Sequence, residues 1–152
     1  MPASFNEANF ERWADTLRSS SQLTRPISRV YGPNLYDSVY MLAYAISTLG
    51  EQQPTGLNLV PGFRRLGGPG KSIAFGPSDL PRGIAELAAG RNIDYVGVNG
   101  VFHYTPRGDR SGLAATACVT IDAAGNSIGL QPSGFVYNPE TQHVDSALIS
   151  CP

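Results

Sequence analysis

The side chains that could carry reactive chemistry in this 152-residue chain are few: two histidines, two cysteines and twelve carboxylates. His103 lies in Phe102-His103-Tyr104, in an alternating, strand-like context, and Asp109 follows it in a turn. A histidine acting as a general base needs a positioned partner. Asp109 is one candidate, and Cys118 could serve as a nucleophile beside the imidazole. No local signature ties either to His103. A small α/β hydrolytic enzyme using His103 therefore stays open as an alternative. His143 sits in a polar segment and reads as solvated.

Cys118 and Cys151 form no Cys-x-x-Cys, and with scattered histidines they match no zinc spacing. No metal and no cofactor is expected. A disulfide between them requires an oxidising compartment; otherwise one is a buried thiol and the other a terminal one. Gly70-Lys71-Ser72 resembles the end of a phosphate loop. The residue five before Gly70 is Arg65, where that motif needs glycine, and the helix and strand around it come in the wrong order. Gly97-Val98-Asn99-Gly100 lacks the third glycine and following helix of a dinucleotide fingerprint. Tyr36, Tyr40 and Tyr44 stand at i, i+4, i+8. Such phenols either rim a packed helix or face a ligand, and packing is the commoner role.

These residues must be positioned by an ordinary globular framework. The chain is 41% apolar and 15% charged, long enough for one domain with a real core. Seventeen glycines and twelve prolines predict short elements and many turns. A net charge of −1 and the lack of a basic run speak against nucleic acid as a partner. No stretch reaches the roughly 18 unbroken apolar residues of a membrane span. No secretory leader is visible at residues 1–9.

Phe10, Trp13, Ala14 and Leu17 predict an amphipathic helix. Tyr31-Gly32-Pro33-Asn34 reads as a turn before a longer helix over 35–49. The stripe Leu35, Val39, Leu42, Ile46 and Leu49 is expected to be its buried face, and Gly50 its stop. Residues 57–66 suit a short helix despite Pro61. Lys71–Phe75 and Ile93–Val98 read as strands flanking a helix that Ser78 or Asp79 caps and in which Leu80, Ile84, Leu87 and Ala88 face inward. Beyond Gly100 the pattern turns to strands: Val101–Tyr104, then 115–121 and 127–130 around the turn Asp122–Asn126, then a short one at 135–137. The expected division is an α/β segment over 1–113 and a hairpin-rich tail over 114–152.

Two segments carry a resemblance. Leu35-Tyr36-Asp37-Ser38-Val39-Tyr40-Met41-Leu42-Ala43-Tyr44-Ala45-Ile46 resembles the "YDAvyllA.Ai" helix of branched-chain amino-acid-type substrate-binding proteins, the type I periplasmic-binding-protein fold used by ABC importers. Ile93-Asp94-Tyr95-Val96-Gly97-Val98-Asn99-Gly100-Val101-Phe102-His103-Tyr104 is similar to the "I.y.GasG.i.Fd" segment of the same family, and Gly108-Asp109 to its following "Gd" turn. The likeness runs from about residue 5 to 130, in matching order. Ser38 replaces the usual Ala, Tyr104-Thr105 stands for Phe-Asp, and the C-terminal end has no counterpart.

The resemblance implies a partial lobe of a three-layer α/β fold with a β-rich C-terminal extension. Two such lobes clamp a ligand, and this chain would supply the later part of the C-terminal one. It further implies a missing N-terminal lobe, an ABC permease as partner of the full-length protein, and an amino acid or similar small polar solute. The location would be periplasmic or otherwise extracytoplasmic, with a lipid anchor allowed, and the cysteines would then meet an oxidising compartment. Val98, Asn99, Gly100 and Thr105 would belong to the hinge. Tyr31, Asn34 and Tyr36, at the loop-to-helix junction, are the expected cleft residues. Catalysis is not expected. Uncovered sheet edges and helix faces predict self-association. A sensor or interaction role on the same fold is the remaining alternative.

Overall fold

The computed structural model describes residues 7–20, 27, 32–104, 107–108, 114–138 and 141–146. The described residues fall into two compact units, the first ending after β3 and the second holding β4 to β6. In chain order the first unit contains α1 (Glu7–Ser20), α2 (Gly32–Ser47), α3 (Gly56–Phe63), β1 (Lys71–Ala74), α4 (Leu80–Ala88), β2 (Ile93–Gly97) and β3 (Gly100–Val101). The second contains β4 (Ala114–Ile121), β5 (Ser127–Asn138) and β6 (His143–Ser146).

β1 and β2 pair in parallel, with Lys71 opposite Ile93 and Ala74 opposite Val96. Parallel neighbours need a crossover, and α4 supplies it. β2 then turns back on itself through Val98-Asn99 into the antiparallel β3. Along β2 the buried positions Ile93, Tyr95 and Gly97 alternate with half-buried ones, the period of a strand covered on one face. Ile73, Ile93, Tyr95, Leu66, Leu87 and Tyr44 form the heart of this core. Each such apolar side chain contributes roughly 1.5–3 kcal/mol by leaving water.

The helices occupy the expected stretches, with two corrections. α2 begins at Gly32, so the expected turn is already helical from there, with Pro33 in its first turn, where a missing N–H costs nothing. More consequentially, α2 buries Pro33, Asp37, Met41, Tyr44 and Ala45. The stripe expected to face the core lies outward: Leu35 is 70% exposed, Val39 58%, Leu42 42% and Ile46 44%, and only Leu49 is buried. Apolar residues recur on both faces of this helix, and the inner one was chosen by what β2 presents: the Tyr95 ring and the amides of the following turn. Asp79 does stand at the N-cap of α4, but its carboxylate pairs with Arg82 at 2.9 Å and makes no cap bond. Of the α4 stripe, Leu87 is buried, Leu80 and Ile84 half-buried, and Ala88 exposed.

The second unit is an antiparallel meander in the order β4-β5-β6. The Asp122 carboxylate accepts from the Ala124 and Asn126 amides at 2.9 and 2.8 Å and closes the β4–β5 turn. Those bonds, led by the Asn126 side chain, hold its pKa below the usual carboxylate range. The strand expected at 135–137 is part of a single long β5, interrupted near Ser133–Gly134, where the pairing shifts register. In the first unit the strand expected over 101–104 is shorter, covering Gly100–Val101.

Candidate functional site

In open α/β sheets, ligands gather beyond the carboxyl ends of the strands. Here those ends are the residues after Ala74 and Gly97, and α1 and α2 both contribute to the second. Asp37, the sole charged residue of α2, is fully buried there. One carboxylate oxygen accepts from the Val98 amide at 2.8 Å and from the Tyr95 hydroxyl at 3.1 Å; the other accepts from the Asn99 amide at 3.0 Å. A buried carboxylate is tolerable only with such charge-assisted partners. Gly97 is required beside it, because a Cβ there would sit 2.5 Å from the Asp37 carboxylate.

Two amides complete the network. Asn99 donates its side-chain N–H to the Asn34 side-chain oxygen at 2.8 Å, and Asn9 of α1 donates to the Gly97 carbonyl at 3.0 Å. The turn at the end of β2 is therefore held from α1 and from two positions of α2. Asn34 lies exposed at its rim, whereas Asn99 is buried. Tyr95 is pushed well above the ordinary phenol pKa, first by burial and then by the Asp37 charge. It stays a neutral donor to the carboxylate.

At the end of β1, Phe75 meets an aromatic cluster. Its ring lies edge-on to Tyr36, 6.2 Å between centroids, and Tyr36 in turn contacts Trp13 and Tyr40. The Arg12 guanidinium stands 4.3 Å from the Phe75 centroid, a cation–π distance. The Tyr36 hydroxyl donates to that of Tyr40 at 3.1 Å. Burial first, then this bond, raises the Tyr36 pKa. Tyr44 is fully buried, its pKa pushed up to about 12 mainly by desolvation. Of the tyrosine stripe, then, Tyr44 is core, while Tyr36 and Tyr40 are half-buried beside the strand ends.

Asn34 and Tyr36, two of the expected cleft residues, both stand at the carboxyl-end edge of the sheet; Tyr31 lies outside the described residues. Val98 and Asn99 form the β2–β3 turn, and Gly100, with φ +89°, opens β3; Thr105 lies outside the described residues. His103 is exposed, and its Nε2 is 3.6 Å from an Asp94 oxygen, beyond hydrogen-bond length. Asp109 and Cys151 lie outside the described residues. Cys118 is buried in β4. Among the described residues, no cluster of three or more His, Cys, Asp or Glu could hold a metal ion. Lys71 opens β1 at its amino end and shares Glu86 with Arg91, at a cavity of about 420 Å³ that Asn92 also lines.

Asp37, Asn9 and Arg12 are not among the site residues expected from the sequence. Only Asp37 left a signal, as the single charge in an otherwise uncharged 16-residue helix.

A family model described as "Receptor family ligand binding region" matches residues 3–114. No curated protein and no solved structure matches the chain.

Proposed function

The chain belongs to the receptor family ligand binding region, and from that premise we propose that it serves an extracytoplasmic solute-binding protein of an ABC import system for amino acids or similar small polar solutes. The family is one of ligand-binding domains of the type I periplasmic-binding-protein kind, and the α/β architecture of the first unit agrees with a partial domain of that fold. The observation that carries the finer reading is the Asp37-braced turn at the carboxyl end of β2. A rigid turn with the Asn34–Asn99 amide pair at its rim offers the polar groups that an amino-acid carboxylate and ammonium require.

In this reading Asn34, Tyr36 and Tyr31 contact the solute. Val98, Asn99, Gly100 and Thr105 carry the hinge to the partner lobe, Cys118 and Cys151 pair in an oxidising compartment, and a permease receives the solute. No catalytic step is assigned. Among the described residues no helix is long and apolar enough to cross a membrane.

The test is a thermal-stability titration of the chain with the free amino acids. Saturable stabilisation by one or a few of them, diminished in Asn34→Ala, supports the proposal. A folded chain that no amino acid stabilises overturns the amino-acid reading.

A further inference from the structure

Away from the strand ends, residues of α3 and its C-cap, with Tyr104, Arg107 and Gly108, line a cavity of about 300 Å³; the lining from the helix side is Val60, Phe63 and Arg64. The two arginines distinguish it. Every other described arginine is engaged: Arg12 over Phe75, Arg18 with Asp15, Arg65 with the Leu87 and Arg91 carbonyls, Arg82 with Asp79, Arg91 with Glu86. Arg64 and Arg107 have no acidic partner among the described residues, and both line the same cavity, whose described lining contains no carboxylate.

The remaining walls are apolar. Val60 and Phe63 stand at i, i+3 on α3 and so share a face. Tyr104 gives its hydroxyl to the Met41 sulfur at 3.8 Å, which ties its ring to α2. Two cations set against an aliphatic and aromatic wall match an amphipathic anion. A volume at the lower end of the range for ligand pockets limits the body to about one ring or one branched chain. Inorganic phosphate would satisfy the guanidiniums but leave the Val60–Phe63 wall uncovered.

We propose that this cavity is a binding site for a small organic carboxylate with an apolar body. It is separate from the Asn34 rim and does not depend on the reading of that rim.

The test is calorimetric titration of the full chain with phenylacetate at low ionic strength. The expected result is saturable binding at one site, weakened roughly tenfold by Arg64→Gln and likewise by Arg107→Gln, since each removes a charge-assisted hydrogen bond. The neutral 2-phenylethanol, and acetate and phosphate without the ring, should each bind at least about tenfold more weakly. Both arginines are exposed, so circular dichroism of the double variant should match the parent. Absence of saturation, equal binding by the double variant, or phosphate binding as tightly as phenylacetate would each overturn the proposal. Asn34→Ala should leave phenylacetate affinity unchanged; a loss there would place the carboxylate at the strand ends and refute the assignment.

Discussion

Replacing Asp37 with alanine removes an acceptor shared by three buried donors: the Val98 and Asn99 amides and the Tyr95 hydroxyl. A buried donor left unpaired costs about 1–3 kcal/mol, and these three lost a charged partner. Allowing for relaxation, the sum is roughly 5 kcal/mol. That rivals the whole stability of an ordinary domain, about 5–15 kcal/mol. Asp37→Asn is a gentler and more specific probe. Its carbonyl oxygen can keep Tyr95 and Val98, but its NH2 must then face the Asn99 N–H, donor against donor. That loss should cost about 2 kcal/mol. Urea unfolding followed by Trp13, the only tryptophan and 4% exposed, reports both variants directly. The order should be parent, then Asp37→Asn, then Asp37→Ala. If Asp37→Ala lies within about 1 kcal/mol of the parent, the carboxylate does not hold the turn and the account of this site is wrong.

Other expectations rest on separate observations. The Tyr44 hydroxyl is buried with no hydrogen-bond partner among the described residues, so Tyr44→Phe should raise stability by about 1 kcal/mol; a loss in the same urea assay would reveal a partner elsewhere in the chain. Leu35→Ser and Leu42→Ser lie on the outward face of α2 and should change stability by no more than about 0.5 kcal/mol, whereas Met41→Ala should cost about 2–5. The same serine variants should lower concentration-dependent association in sedimentation, and a parent chain that stays monomeric would remove that expectation. Tyr44 and Tyr95 hold their phenolic protons more tightly folded than unfolded. Their contribution is complete below about pH 10 and is lost as pH rises toward 12 and beyond, so unfolding should set in over that alkaline range, followed by phenolate absorbance. If Cys118 and Cys151 pair, reduction under non-denaturing conditions should lower the melting temperature, and the Cys151→Ser variant should show the same lower value without reductant.

Much of the framework could be read in one dimension. The alternation of helix and strand, the pairing of 115–121 with 127–130 across Asp122–Asn126, and the ordered likeness of the Leu35–Ile46 and Ile93–Tyr104 segments are local or nearly local signals. Periodicity and turn chemistry are written into consecutive residues. What the sequence could not decide is which of two apolar faces of α2 turns inward. Leu35, Val39, Leu42 and Ile46 are the more hydrophobic row, yet Asp37, Met41 and Tyr44 are buried. The deciding groups are the Tyr95 hydroxyl and the amides of Val98 and Asn99, some sixty positions away in the chain. Backbone N–H groups carry no residue identity, so no pattern of side chains announces them. Only when β2 and its turn are brought against α2 does a charge in the middle of a helix become the residue that must be inside.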